Sequence, residues 1–235
     1  SSRNTERARD DLREICVLTH LTREEQRRLE GRLLVERREV RQGLSLCRAG
    51  DRFDRVYEVR TGFFKTVMGS ALGNEQVVGF HMPGELIGLE AIGSGRHKVE
   101  AIALEDSQVW VLRYRELVAL SREIPALQEQ LYLLMSQEIA GGHASMLRLG
   151  SMYADERVAG FLLNLTQRLR ARGYSRTSVH LPMSREEIGS FLGLKLETVC
   201  RTLSKLKAAG LLDVHLREIT VCDRAGLRRL LGASA

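Results

Sequence analysis

Near Arg122 the spacing of apolar residues changes from two to about 3.6, and this change constrains the architecture more than any other feature. Before it, from about 38 to 120, short β-rich runs (VYEVR, FFKTVMG, EQVVGFHM, VEAIAL, SQVWVL) are separated by turn signals such as AGDRFD, ALGNEQ, MPGELIG and IGSGRHK. Runs this short, at intervals of roughly 8–12 residues, predict an antiparallel sandwich or roll. A doubly wound α/β domain needs helices between its strands, and there is no room for them. After the change, Ile124, Leu127, Leu131, Leu134, Ile139, Met146 and Leu147 recur three or four apart, with some longer gaps, in an apolar stripe of roughly 28 residues. One such helix cannot bury its stripe alone. It is expected either to lie across its own domain or to pair with the same helix of a second chain. Gly141 and Gly142 weaken its interior and are candidates for a kink or a close helix approach.

The flanking segments are helical in pattern. Residues 21–36 (LTREEQRRLEGRLLVE) predict a helix with Thr22 as N-cap and Glu25 at the capping-box spacing. Residues 154–171 place Val158, Phe161, Leu162, Leu165 and Leu169 on one helical face. Ser184 with Glu187 forms a second capping-box signal, opening a short helix over 185–192. Gly193 turns the chain, a further helix runs over 195–208, and Gly210 stops it. LLDVHLREITVCD then predicts two short strands around a tight turn. The fold class is α+β: an N-terminal segment and helix (1–36), an antiparallel β-roll of jelly-roll type (37–120), a long dimerisation helix (121–152), and a winged helix-turn-helix (153–235).

Charge sharpens the division. Residues 1–151 hold 22 Lys and Arg against 22 Asp and Glu, whereas 152–235 hold 14 against 8, so the whole formal charge of +6 lies in the last third. A neutral first part and a basic last part point to a polyanion meeting only the C-terminal unit. No run of about 18 apolar residues suits a membrane span, and the first residues contain no apolar core of a secretory signal. Cys16, Cys47, Cys200 and Cys222 form no C-x2-C pair, which disfavours a disulfide framework or a structural zinc and makes the cytoplasm the expected compartment.

Two short helices joined by a glycine turn and followed by a hairpin, in a basic segment, describe a winged helix-turn-helix, whose second helix enters the DNA major groove. Leu196, Val199, Leu203 and Leu206 are its expected inward positions. Glu197, Cys200, Arg201 and Ser204 fall at i, i+3, i+4 and i+7, close to one outward stripe. Arg201 can donate twice to guanine, and Glu197 can accept from cytosine. Thr198, Ser204, Lys205 and Lys207 suit phosphates, and Lys195 and Arg185, at the starts of the two helices, are further candidate DNA-binding residues. The competing reading of Glu197 and Arg201 is an i,i+4 surface ion pair.

GDRFDRVYEVRTGFFKT, GNEQVVGFHMPGELIGLEAIGSG, LMSQEI, DERVAGFLLNL, MSREEIGSFLGLKLETVCRTLSKLKAAGLL and REITV resemble the Crp–Fnr family of bacterial transcription regulators, in its Fnr branch, over about 15–230. The resemblance implies a sensor β-roll, a long dimer helix and a homodimer reading a palindromic site, with half-sites about one helical turn apart. It implies that Glu197 and Arg201 are the base readers and that the half-site is TTGAT-like. Cys200 stands where the Fnr branch has Ser and the cyclic-AMP branch Gly, which leaves the outer thymines open. Double-stranded DNA is the expected partner. RNA polymerase is a second, through loops 69–76 and 113–122, by analogy with the family.

The controlling signal is a separate matter. The cyclic-AMP branch grips its ligand's phosphate with an adjacent Arg-Ser. Here Glu85 stands at the ribose position, but Arg96-His97-Lys98-Val99-Glu100 has no such pair, and a buried Glu100 carboxylate would oppose a phosphate. The oxygen-sensing branch holds a [4Fe–4S] cluster with three closely spaced N-terminal cysteines and one in the β-roll. Only Cys16 matches a ligand position; Arg7 and Asp10 stand near the first two, and Trp110 takes the place of the last. In oxygen-sensing members a charged residue opposes pairing at the dimer seam, where alignment places Ala144. The expectation is a regulator without cluster, cyclic AMP or other cofactor. Alternatives are gating by thiol redox at Cys200 or Cys16, by a residual cluster, or by a small ligand in the roll. A cupin-like metalloenzyme is the most distant reading: His81 and His97 are isolated, and no H-x-H, G-x-S-x-G, P-loop or H-E-x-x-H occurs.

Overall fold

The computed structural model describes residues 12, 14–69, 75–174 and 178–232. They form two compact units, residues 1–140 and 141–235. In the first, Thr22 caps helix α1 (Arg23–Leu29): its Oγ1 accepts from the Glu25 amide while the Glu25 carboxylate accepts from the Thr22 amide. The helix is shorter than its sequence predicts. It ends at Leu29, and from Val35 the chain is strand β1 (Val35–Val40), paired with β8 (Ser107–Arg113) from Val35↔Leu112 to Val40↔Ser107. The backbone pairing on offer from β8 outweighs the helical propensity of the Glu- and Arg-rich segment.

Between β1 and β8 lie β2 (Ser45–Cys47), β3 (Arg55–Thr61), β4 (Phe64–Gly69), β5 (Glu75–His81), β6 (Leu86–Ile87) and β7 (Glu100–Ala103). They make two four-stranded antiparallel sheets, ordered β1-β8-β3-β6 and β2-β7-β4-β5. Val40, Leu46, Val59, Phe64, Val109 and Val111 fill one core of the roll. A second core contains Val56, Trp110 and Leu112 of the first sheet together with Leu12, Ile15, Val17 and Leu18 of the N-terminal segment. The helical period also begins earlier than Arg122: α2 (Tyr114–Ser121) follows β8 directly, before α3 (Pro125–Ser151) opens on a proline at its first turn.

α3 is continuous through Gly141 and Gly142, and its apolar stripe is divided. Ile124 and Leu127 are fully buried, with Leu131 and Leu134 packed against the same core. Ile139, Met146 and Leu147 are 61%, 73% and 58% exposed.

In the second unit α4 (Ala154–Ala171) buries Val158, Phe161, Leu162, Leu165 and Leu169, the expected face. Strand β9 (Ser178–His180), α5 (Arg185–Leu192), α6 (Leu196–Ala208), β10 (Leu212–His215), β11 (Glu218–Val221) and α7 (Arg224–Leu230) complete it, with sheet order β10-β11-β9. The sequence reading missed α7, a helix of only two turns capped by Asp223, which accepts from the Gly226 amide at 2.8 Å.

Candidate nucleic-acid interface

The pair α5 and α6 is built from short-range signals that agree with one another. The Ser184 hydroxyl accepts from the Glu187 amide at 3.1 Å, and the Glu187 carboxylate accepts from the Ser184 amide at 2.6 Å. Gly193 closes α5 at φ +62°, a conformation costly for any residue with a Cβ. At Gly189 a Cβ would stand 2.6 Å from the Leu194 carbonyl oxygen, so only glycine allows the turn to close this tightly. Arg157 ties the unit together, donating to the carbonyls of Met152 (2.9 Å), Leu192 (3.0 Å) and Leu149 (2.9 Å).

Val199, Leu203 and Leu206 face inward from α6 as expected, but Leu196 is 43% exposed. The fourth inward position is Thr202, buried, with its hydroxyl 3.4 Å from Asp155 Oδ1. A hydrophobic pattern could not find it, because threonine is buried only where an acceptor awaits its hydroxyl.

Glu197, Cys200, Arg201 and Ser204 are all exposed, and Thr198 half-buried. No ion pair or hydrogen bond joins Glu197 to Arg201 or engages either with another described residue. Lys195, the exposed N-cap of α6, flanks them. Lys205 and Lys207 are placed differently: Lys205 is ion-paired with Asp155, while Lys207 sits 3.0 Å from Asp213 Oδ1 and donates to the Val214 carbonyl at 3.0 Å. Lys207 holds the Asp213 carboxyl below its ordinary pKa. These two lysines serve the fold first. Arg185 is half-buried and donates to the Leu216 carbonyl at 2.7 Å, at the turn between β10 and β11. Burial lowers its pKa, the nearby Cys200 opposes that shift, and Arg217 adds to it.

The β-roll holds two further arrangements. At β3, the Glu58 carboxylate is 1% exposed and accepts from the amides of Cys16 (2.6 Å) and Val17 (3.1 Å). Glu58 is the cross-strand partner of Trp110, which is itself 1% exposed, and the Arg60 guanidinium lies 5.3 Å from the indole centroid. The indole N–H has no hydrogen-bond partner among the described residues. Sequence patterns gave no sign of Glu58, a charged residue inside a β-rich run. Arg7 and Asp10 lie outside the described residues.

The second arrangement is an open polar cavity of about 560 Å³, lined by Arg38, Arg48, Arg52, Tyr57 and His97 among others. His97 is buried, its Nδ1 3.1 Å from Glu90 Oε1. Glu85 turns back to accept from the Met82 amide at 3.1 Å. Glu100 is not the buried carboxylate expected: it is partly exposed, near Arg48 (3.8 Å) and hydrogen-bonded to Ser45. The cavity was not foreseen, since its lining comes from segments far apart in the chain. Of the loops expected to meet RNA polymerase, 70–74 lie outside the described residues and 114–121 form α2.

Among the described residues no helix is long and apolar enough to cross a membrane. Residues 156–230 match the Crp-like helix-turn-helix domain and residues 37–123 the cyclic nucleotide-binding domain. The chain is 43% identical to the transcriptional regulatory protein Btr of Bordetella pertussis, over 93% of this chain and 90% of that protein. It is 37% identical to the fumarate and nitrate reduction regulatory protein of Escherichia coli, over 93% and 87%. Among solved structures it resembles FixK2 from Bradyrhizobium japonicum, with a TM-score of 0.78 and 32% identity, over 86% of this chain and all of that one. Relatives of this kind are transcription regulators rather than enzymes, and their similarity runs through both the β-roll and the helix-turn-helix. With the winged helix-turn-helix and its roll both in place, the chain belongs to the Crp–Fnr family of DNA-binding transcription regulators, in the Fnr-like branch.

Proposed function

We propose that this regulator works as a homodimer reading a palindromic TTGAT-type site, one α6 per half-site, without an iron–sulfur cluster or cyclic AMP. The observation that carries the site assignment is the pair Glu197 and Arg201, exposed and unengaged on one face of α6 while neighbouring charges are tied into the fold. Unpaired donors and acceptors that cost nothing to redirect are what base-edge readout needs. Thr198, Ser204 and Lys195 flank them as phosphate contacts, with Lys205 available only by exchanging Asp155 for DNA.

Three large side chains, Ile139, Met146 and Leu147, stay mostly exposed along α3, with Ala144 exposed between them. An unsatisfied stripe of this kind favours a second copy of the helix as its cover, and a small apolar residue offers no repulsion to it. RNA polymerase remains the partner proposed for transcription, by family analogy.

The residues present do not fit a [4Fe–4S] cluster. A buried indole at position 110 offers no iron ligand, and Trp110 packs in a core with Leu12, Ile15, Val17 and Leu18 where a cluster would need room and thiolates. Cyclic AMP lacks its Arg-Ser grip, and Glu85 is turned to the Met82 amide. A second reading, gating by a small anionic effector, is favoured by one observation, the arginine-lined cavity of the roll. Thiol control acts most directly at Cys200, exposed on α6 beside the readers.

Aerobically purified protein is expected to be dimeric by light scattering and to shift a TTGAT-type duplex. Arg201→Ala should lose the preference for that duplex over an unrelated one while keeping its fold and dimer. A monomer that binds only after cluster reconstitution, or an Arg201→Ala protein that keeps its preference, overturns the proposal.

A further inference from the structure

Apolar side chains of three separate elements meet around a partly enclosed cavity of about 290 Å³, which lies wholly within the first unit. Leu86 of β6 with Leu89 and Ile92 just after it form one wall, Leu117 of α2 a second, and Tyr132 and Met135 of α3 a third. The lining is graded: Leu86 and Leu117 are buried, whereas Tyr132 is 60% exposed and Arg122, between α2 and α3, is exposed. Gln128, Leu131, Tyr132 and Met135 stand at i, i+3, i+4 and i+7, so one stripe of α3 faces the space. Among the described residues that line it Arg122 alone is charged, and no ion pair or hydrogen bond joins its guanidinium to another described residue. The carboxylates nearest to it along the chain are engaged elsewhere. Glu123 pairs with Arg32 at 2.6 Å, and Glu116 accepts from the Leu34 amide at 2.8 Å and lies 3.7 Å from Arg113. Glu129 of α3 is exposed and lines no part of the space. An apolar recess with a few polar groups converging on it is the usual form of a small-molecule site.

We propose that this cavity binds a small monocarboxylic acid, its apolar body against Leu86, Ile92 and Leu117 and its carboxylate at Arg122, with the Gln128 amide as a second donor. The size follows from packing: a cavity of about 150 Å³ accommodates benzene, so about 290 Å³ takes about twelve heavy atoms. The charge follows from Arg122, whose planar fork matches a carboxylate and whose exposure spares both ions most of their desolvation. A dianion would leave its second charge among apolar side chains, and a neutral hydrocarbon would leave Arg122 unused. This site is separate from the arginine-lined cavity of the roll, with which it shares no lining residue, and neither Glu85 nor residues 96–100 line it. It is also independent of the DNA-reading assignment of α6. Ile139, one turn beyond Met135, continues the same stripe, so the competing occupant is the α3 of a second copy. Three walls around a recess suit a compact molecule, whereas a helix packs along an open face.

The test titrates the full chain with decanoate and with 4-phenylbutyrate, monocarboxylates of about twelve heavy atoms with an aliphatic and an aromatic body, by calorimetry and thermal melting. Decanol is the uncharged control. One carboxylate should bind per chain with a dissociation constant on the order of 10–100 µM and raise the melting temperature; the tighter of the two identifies the body. Decanol should bind about fivefold more weakly than decanoate, and Arg122→Gln should weaken both carboxylates by about the same factor while leaving decanol unchanged. Val118→Phe and Ile92→Phe fill the space from α2 and from the roll, and each should remove binding while keeping the parent's circular dichroism; if one fails to fold, the other carries the test. No saturable binding by the parent overturns the proposal, as does binding that survives in a folded filling variant. Decanol as tight as decanoate, with Arg122→Gln unchanged, overturns the assignment to an acid. Binding that vanishes as the protein dimerises in a concentration series gives the space to the second copy and overturns the proposal as well. Each of these failures leaves the DNA-reading assignment standing, which only a duplex-binding assay addresses.

Discussion

Replacing Glu58 by alanine should release the N-terminal segment from the first sheet of the roll. The carboxylate is 1% exposed and accepts from two backbone amides, of Cys16 at 2.6 Å and Val17 at 3.1 Å. Truncation leaves both donors without that acceptor, and a buried donor without an acceptor costs about 1–3 kcal/mol. Two such losses, partly relieved as water follows the segment out, come to about 2–5 kcal/mol, a large share of the roughly 5–15 kcal/mol by which a domain is stable. Glu58→Gln retains one carbonyl oxygen and should lose about half as much. The chain's single tryptophan, Trp110, is the cross-strand partner of Glu58 and shares a core with Leu12, Ile15, Val17 and Leu18. Its emission should therefore shift to the red in Glu58→Ala, the urea midpoint should fall, and limited proteolysis should cut first within residues 12–21. Leu127, Leu131 and Leu134 of α3 pack on the same core, so loss of the segment should also weaken the proposed dimer in dilution series. If Glu58→Ala keeps the parent emission and a stability within about 0.5 kcal/mol, the carboxylate does not hold the segment.

Cys16, Cys200 and Cys222 are exposed, whereas Cys47 is buried and its thiol is pushed up to about 12 by desolvation. Because the thiolate is the reactive form, native protein at pH 8 should label at the first three and spare Cys47 until denaturant is added; early modification of Cys47 in intact-mass and peptide analysis would contradict its burial. Gly189→Ala forces a Cβ against the Leu194 carbonyl oxygen and should cost about 1–3 kcal/mol, read as a lower melting temperature with correspondingly less folded, DNA-competent protein. An unchanged melting temperature would mean that the turn between α5 and α6 is looser than its geometry indicates.

The distinction between holding and reading runs through the basic unit. A count of lysines and arginines in the last third treats Lys205, Lys207, Arg185 and Arg201 alike, yet their surroundings separate them. Lys205 and Lys207 neutralise Asp155 and Asp213, Arg185 secures the wing turn, and Arg201 is left unengaged. On the proposed reading, removing Arg201 should change sequence preference with little change in stability, whereas removing any of the first three should leave sequence preference unchanged. Exposed pairs such as Lys207–Asp213 contribute little individually, so the fold does not depend on any one of them.

Local chemistry alone sufficed for much of this protein. The capping boxes at Thr22 and Ser184, the glycines at 193 and 210, the two-residue period of the roll and the i, i+3, i+4, i+7 spacing of Glu197, Cys200, Arg201 and Ser204 on α6 are all short-range and can be read within a few residues of where they stand. What depends on partners distant in the chain needed tertiary structure. Val35–Val40 became a strand because β8 lies beside it, and Thr202 became a core residue because Asp155 receives its hydroxyl. Glu58 became a buried clamp because the amides of residues 16 and 17 return to it from more than forty positions away. The hairpin turn is legible in the sequence, but the positive φ and 94% exposure of Leu216 at its tip belong to the fold. Propensity and periodicity act over one or two turns of chain; burial, ion pairing and strain are decided by whatever the fold brings alongside.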